Sequence, residues 1–160
     1  MVWGCIADNK HSQLVSFRGT NTADTYIETL CRNLVPFIKC VPTEITNNFI
    51  FQQDNERIHT ANKTQDWFAK QKFTVMEWPP NSPDMNPIEH SWRELKAQLH
   101  TRYPDTYMLR GGPEKVQQVL EEHLKVVWND IVQDRIMTLI RSMPNRAAEL
   151  YCAKGWYTGY

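Results

Sequence analysis

The apolar residues change their period several times along the first hundred positions, and the order of those changes restricts the fold more than any single motif. Val2-Trp3-Gly4-Cys5-Ile6-Ala7 and Gln13-Leu14-Val15-Ser16-Phe17-Arg18 flank the turn-forming run Asp8-Asn9-Lys10-His11-Ser12, which is the pattern of a β-hairpin. From Thr22 the spacing becomes helical. Tyr26, Ile27, Leu30 and Leu34 share a face, Asn21 or Thr22 is available as N-cap, and Pro36 stands near the stop. Phe49-Ile50-Phe51 reads as a short buried strand, Thr60 to about Gln71 as a second helix with Trp67 and Phe68 on one face, and Phe73-Thr74-Val75-Met76 as another strand. In the loop Trp78-Pro79-Pro80-Asn81-Ser82-Pro83, three prolines forbid helix or central strand. Beyond Pro87 a third helix carries Ile88, Trp92, Leu95 and Leu99 on its apolar stripe. After Gly111-Gly112-Pro113, the residues Val116, Leu120, Leu124, Val127 and Ile131 mark a further helix that Ile136, Leu139 and Ile140 continue. Strand, strand, helix, strand, helix, strand, helix, with more helix behind, implies an α/β fold: a mixed sheet with helices on its faces.

Length and composition set outer limits. The 160 residues suit one domain with a real core. Eighteen Lys and Arg cancel eighteen Asp and Glu, so net charge gives no signature of nucleic-acid binding, and any such contact rests on local patches or on metal. Cys5, Cys31, Cys40 and Cys152 form no C-x-x-C pair and have no histidine at zinc spacing, which reads as reduced, packed thiols. No apolar run reaches the roughly 20 residues of a membrane helix, and the N-terminus lacks a secretory signal pattern; the expectation is an intracellular protein.

Two acids stand out. Asp54 follows the Phe49-Ile50-Phe51 run within Gln52-Gln53-Asp54-Asn55, where a buried strand delivers a carboxylate to a sheet edge. Glu89 opens the third helix at the end of Ser82-Pro83-Asp84-Met85-Asn86-Pro87-Ile88-Glu89, with thirty-four residues between the two acids. Paired carboxylates suit magnesium or manganese, and two such ions about 3.5–4 Å apart can activate a water and stabilise a leaving oxygen in phosphodiester cleavage. The bland alternative is an Asp-Asn turn and a Glu complementing the helix dipole, with Glu89 also four residues before Arg93 in an ordinary helical ion pair. His59 reads first as a cap or surface contact and alternatively as a contact to DNA or the metal shell, Asn55 as either a turn residue or an orienter of water, and Asp84 and Asn86 as shapers of the proline loop. Trp67, Trp92 and Trp128 fit core stripes. Lys70, Lys72, Arg93 and Lys96 are candidates for phosphate contact.

Met1-Val2-Trp3-Gly4-Cys5-Ile6, Gln52-Gln53-Asp54-Asn55 with His59-Thr60-Ala61, and Trp78-Pro79-Pro80-Asn81-Ser82-Pro83-Asp84-Met85-Asn86-Pro87-Ile88-Glu89 with Trp92 and Leu95-Lys96 together resemble the catalytic domain of Tc/mariner superfamily transposases. The resemblance extends into Ser142-Met143-Pro144-Asn145-Arg146 and Ala153-Lys154-Gly155. It departs at Glu56-Arg57, where a small residue and proline are common, and at Trp156. It implies an RNase H-like domain, partial over residues 1–104, with residues 105–160 as its C-terminal helical extension. It also implies Mg2+- or Mn2+-dependent DNA cleavage and strand transfer by an Asp-Asp-Glu triad, in which Asp54 is the second acid and Glu89 the third, both as catalytic residues and metal ligands. The family's first acid lies on a strand upstream of the segment resembling Met1 to Ile6, and Asp8, in the hairpin turn, does not replace it. The chain therefore reads as N-terminally truncated, without the first, central strand, which leaves two inward-facing strand edges, and without the family's DNA-binding region, so that the ancestral cleavage and strand transfer read as impaired here by loss of the first catalytic Asp and of that region. Implied partners are DNA, as transposon ends or target, and a second copy in a homodimer, with no membrane. The implied location is nuclear in a eukaryote and otherwise cytoplasmic. The reading from another class is a non-catalytic DNA- or protein-binding module derived from a transposase.

Overall fold

The computed structural model describes residues 1–8, 10–41, 49–71, 73–79 and 82–154, apart from the side chains of Asp84 and Tyr107. Asn9, Lys72, Pro80, Asn81, the Asp84 side chain and the tail from Gly155, all given roles above, lie outside the described residues.

The expected hairpin forms in two steps. Strand β1 (Val2–Trp3) pairs antiparallel with β4 (Val15–Ser16), and β2 (Ile6–Ala7) with β3 (Lys10–His11). Two residues separate β1 from β2 but three separate β3 from β4, so the returning strand carries a bulge around Ser12. Side chains hold this bulge. Ser12 Oγ accepts from the Cys5 backbone N–H at 2.9 Å, and the buried Trp128 indole donates to the Ser12 carbonyl at 2.7 Å. At the tip, Asp8 takes a left-handed conformation, φ 53°, as a tight antiparallel turn requires.

Helix α1 (23–39) begins with a capping box in which Thr22 and Thr25 each accept from the other's backbone N–H. Pro36 does not stop it. The helix is α over Ala23–Thr29, π over Leu30–Leu34, and α again over Val35–Lys39. Proline has no N–H for the carbonyl four residues back, and the turn before it widens so that the Val35 N–H reaches Leu30 O.

Strand β5 (Ile50–Phe51) runs parallel to β6 (Thr74–Val75), joined through the single turn α2 (Arg57–Thr60) and helix α3 (Asn62–Gln71). A 3-10 turn, Pro83–Met85, leads into α4 (Pro87–Arg102). The long helix expected from Val116 to Ile140 is instead broken into α5 (Pro113–Asn129) and α6 (Gln133–Arg141), because Val132 is extended (ψ 132°). Helix α7 (Met143–Cys152) completes the described chain.

Two apolar clusters result. One joins Leu14 to Leu95, Leu99, Val127, Trp128, Ile131 and Ile136; the other joins Tyr26, Leu30 and Leu34 to Phe51 and Phe68. The first hairpin arm serves both: Val2 and Ile6 pack on the former, and Trp3 and Cys5, on the opposite face of the strand, on the latter. Trp92 stacks on Trp128 with centroids 4.9 Å apart, and Trp67 meets Phe68 edge-on, so all three tryptophans pack as their stripes imply. Every described strand belongs to a two-stranded pair, and none lies between the hairpin and β5.

Candidate active site

Phe51 anchors the end of β5 among aromatic rings, 5.3 Å from Phe68 and 6.3 Å from Phe49. The chain leaves the strand at Gln52 and reaches Asp54 in the turn that starts α2. Asp54 Oδ1 accepts from the Glu56 backbone N–H at 3.1 Å, the local bond that makes Asp a turn former. It also meets His59 Nδ1 at 2.6 Å. With Nδ1 protonated, the imidazole donates to the carboxylate and fixes its orientation. Asp54 Oδ2 makes no hydrogen bond among the described residues.

His59 thus sits inside α2 and engages the acid, rather than acting as a cap. It lies 4.4 Å from the Tyr26 ring, and the Tyr26 hydroxyl donates to Gln53 Oε1 at 2.8 Å. Burial first, and the nearby Asp54 charge second, raise the Tyr26 pKa far above its ordinary value, so the phenol stays protonated as this donor. Asn55 donates from Nδ2 to the Trp78 carbonyl at 2.8 Å, pinning the turn to the start of the proline loop.

Glu89 arrives from the other side. Asn86 caps α4, accepting from Ile88 N–H at 3.4 Å, with Pro87 in the first turn, and this start places Glu89 at the helix N-terminus. Among the described residues Glu89 makes no ion pair within 4 Å, so the expected pairing with Arg93 does not form. Its pKa is raised, first by burial and second by the Asp54 charge, against smaller lowering effects of Lys96 and Arg93. The two acids therefore feel one another. Both line a single cavity of about 540 Å3, together with His59, Asn86 and Trp92. Beside Glu89, His90 Nε2 accepts from Nη1 of the buried Arg146 at 3.0 Å, and Arg146 Nε donates to Ser142 Oγ at 2.7 Å, which ties α7 to α4.

Tyr26 is the member of this site that the sequence reading placed elsewhere, and His59 the one it reached only as a second alternative. The periodic signal assigned Tyr26 to a core face; the i, i+5 spacing of Asp54 and His59 matches no regular element and acquires meaning only from the turn between them.

An acid at a strand end and an acid at a helix start thus line one cavity. Over residues 1–109 the chain matches the family described as DDE superfamily endonuclease, and it belongs to that family, in its Tc/mariner branch. It is 32% identical over 160 residues to the Tcb1 transposase of Caenorhabditis briggsae, and 31% identical over 159 residues to the Tc3 transposase of Caenorhabditis elegans. It spans about half the length of these curated relatives, 54% and 44% respectively. The crystal structure of the Mos1 mariner transposase catalytic domain superposes with a TM-score of 0.65 at 19% identity, over 98% of this chain and 81% of that one. The Mos1 catalytic domain solved with Raltegravir and Mn gives 0.67 at 21% identity, over 98% and 76%. The fold is RNase H-like. No helix among the described residues is long and apolar enough to cross a membrane.

Proposed function

We propose that this chain is a transposon-derived DNA strand transferase domain, in which Asp54 and Glu89 are catalytic residues and ligands for Mg2+ or Mn2+. The observation that carries this reading is that both carboxylates line one cavity, close enough for the Asp54 charge to raise the Glu89 pKa. The donor set fits a hard divalent cation: two carboxylates, one with an oxygen free of other bonds and its partner oxygen held by His59. When bound, such ions supply Lewis-acid stabilisation of phosphoryl oxygens and a more acidic water. The chain's own contribution is orientation. His59 and the Glu56 N–H hold Asp54, the Asn86 cap holds the start of α4, and the charges of Arg93 and Lys96 reach Glu89. DNA as partner is supported by the Mos1 neighbours, which include a paired-end complex and a strand transfer complex.

The test is Mg2+- or Mn2+-dependent nicking of supercoiled DNA by residues 1–160, beside Asp54→Asn. Metal-dependent cleavage that disappears in the variant supports the reading. A second reading, a binding module without catalysis, draws on the absence among the described residues of any group of three or more metal-ligating side chains. It requires DNA binding that survives Asp54→Asn and no nicking by either protein.

A further inference from the structure

Glu89 reaches the cavity from the first turn of α4, and the local bonds on that turn are few. Pro87 has no N–H to give, and the Asn86 cap bond to Ile88 N–H is 3.4 Å long, beyond the ordinary range for N–H···O. The residue after Glu89 is held from far along the chain. His90 Nε2 accepts from Arg146 Nη1 at 3.0 Å, and because a guanidinium only donates, the His90 ring is the neutral tautomer protonated at Nδ1. Arg146 is 1% exposed, and its guanidinium is itself aimed. Nε donates to Ser142 Oγ at 2.7 Å, Ser142 Oγ donates to Leu139 O at 2.6 Å, and Arg146 N–H donates to Ser142 O at 3.0 Å. Ser142 is the corner between α6 and α7. Leu139 is buried, and Ile136 of the same helix packs in the cluster that holds Leu95 and Leu99 of α4.

Burying a charge is costly, and an apolar side chain would pack against α4 more cheaply. What arginine adds is direction. Its rigid fork puts one N–H on the α6–α7 corner and another on the ring beside Glu89, a pairing that a lysine ammonium on its flexible stem does not reproduce. We infer that Arg146 is a positioning residue, which fixes the first turn of α4 through His90 and so holds Glu89 where a cation shared with Asp54 would need it. This role rests on the proposed reading of Glu89 as a metal ligand. It gives α7, which lies beyond the residues 1–109 that match the family, a part in the site. Charge alone would act the other way, since a positive group beside Glu89 repels a metal ion.

The experiment is titration calorimetry of residues 1–160 with Mn2+, comparing the parent with Arg146→Gln, His90→Phe, His90→Gln and Glu89→Gln, with thermal melts and amide hydrogen exchange on each. Arg146→Gln is expected to bind Mn2+ about tenfold more weakly, the low end of the cost of losing an outer partner of a metal ligand, although it removes a positive charge. His90→Phe keeps a flat ring and the Arg146–Ser142 bond but offers no acceptor, and an equal loss is expected. His90→Gln presents an amide oxygen to Arg146 and is expected to stay within about twofold of the parent. Exchange is expected to quicken in Arg146→Gln at Glu89, His90 and Ser91, and not at Leu95 and Leu99 of the same helix. A merely structural Arg146 would lower the Tm and quicken exchange along all of α4 while the folded protein kept its Mn2+ affinity. That outcome, or tighter binding in Arg146→Gln, overturns the inference. Should Arg146→Gln not fold, the two His90 variants decide, since neither removes the guanidinium. Parent protein that binds no Mn2+, or binds it unchanged after Glu89→Gln, overturns the metal-site reading and this role with it. Affinity lost in Glu89→Gln but kept in Arg146→Gln and His90→Phe overturns this role alone.

Discussion

Asp54 and Glu89 differ in what surrounds them, and that difference decides how each responds to change. Glu89 is partly buried and faces Asp54, so its folded carboxyl holds a proton to higher pH than the unfolded one. Its contribution to stability is fully present below the unfolded carboxylate pKa and is lost as pH rises through the raised folded value. Glu89→Gln is therefore expected to melt higher than the parent at pH 7 in EDTA and to match it at acid pH. Solvent screening keeps the gain small, because the group is only partly buried. Melts at several pH values check this, and a variant less stable at every pH would show that the carboxylate makes a needed native contact. His59 acts through Asp54. Under the proposed function, His59→Ala is expected to weaken Mn2+ binding by about 10- to 100-fold, the usual cost of losing a partner behind a metal ligand, and titration calorimetry measures it. The acids were legible in the sequence because strand end and helix start are local signals. The histidine could be named only as the weaker of two alternatives, because its contact depends on a one-turn helix too short to leave a periodic pattern.

Local chemistry also explains the elements. The Val2-Trp3-Gly4 segment requires glycine because a Cβ at position 4 would stand 3.0 Å from Trp128 Cζ2 and 3.1 Å from Trp92 Cη2. Both rings are held in a stack, and Trp128 is further fixed by its bond to the bulge carbonyl of Ser12. Neither can give way cheaply. Gly4→Ala is expected to destabilise the fold by about 1–3 kcal/mol, the range for overpacking a filled core, and to change the near-ultraviolet circular dichroism of the Trp pair. Denaturant unfolding measures the first effect; an unchanged midpoint would mean that the indoles shift freely. The hairpin, the β5–β6 pair and the apolar stripe of α4 could be read from hydrophobic period. The bulge at Ser12, the π turn before Pro36 and the break at Val132 could not, since each is set by which backbone group finds a partner rather than by any spacing of apolar residues.

At the scale of the molecule, the two apolar clusters meet along the hairpin, an arrangement invisible to local pattern because the contacts that bring Leu14 to Trp128 and Tyr26 to Phe51 are distant in sequence. Asp54 extends from β5, in the cluster of Tyr26 and Phe68, whereas Glu89 sits on α4, whose Leu95 and Leu99 belong to the cluster of Trp128. A divalent cation held by both carboxylates would join the two halves and offset the repulsion that raises the Glu89 pKa. Ligand that binds only the folded state stabilises it by RT ln(1 + [L]/Kd), about 1.4 kcal/mol at tenfold excess over Kd, which for a domain of this size is a rise in Tm of roughly 3–6 °C. Mg2+ is expected to raise the Tm of the parent chain in this concentration-dependent way, and to leave Asp54→Asn and Glu89→Gln nearly unmoved, because each removes one side of the bridge. Thermal melts across a Mg2+ series read this without any DNA substrate. A rise that persists in both variants would place the cation elsewhere on the surface and separate metal binding from these acids.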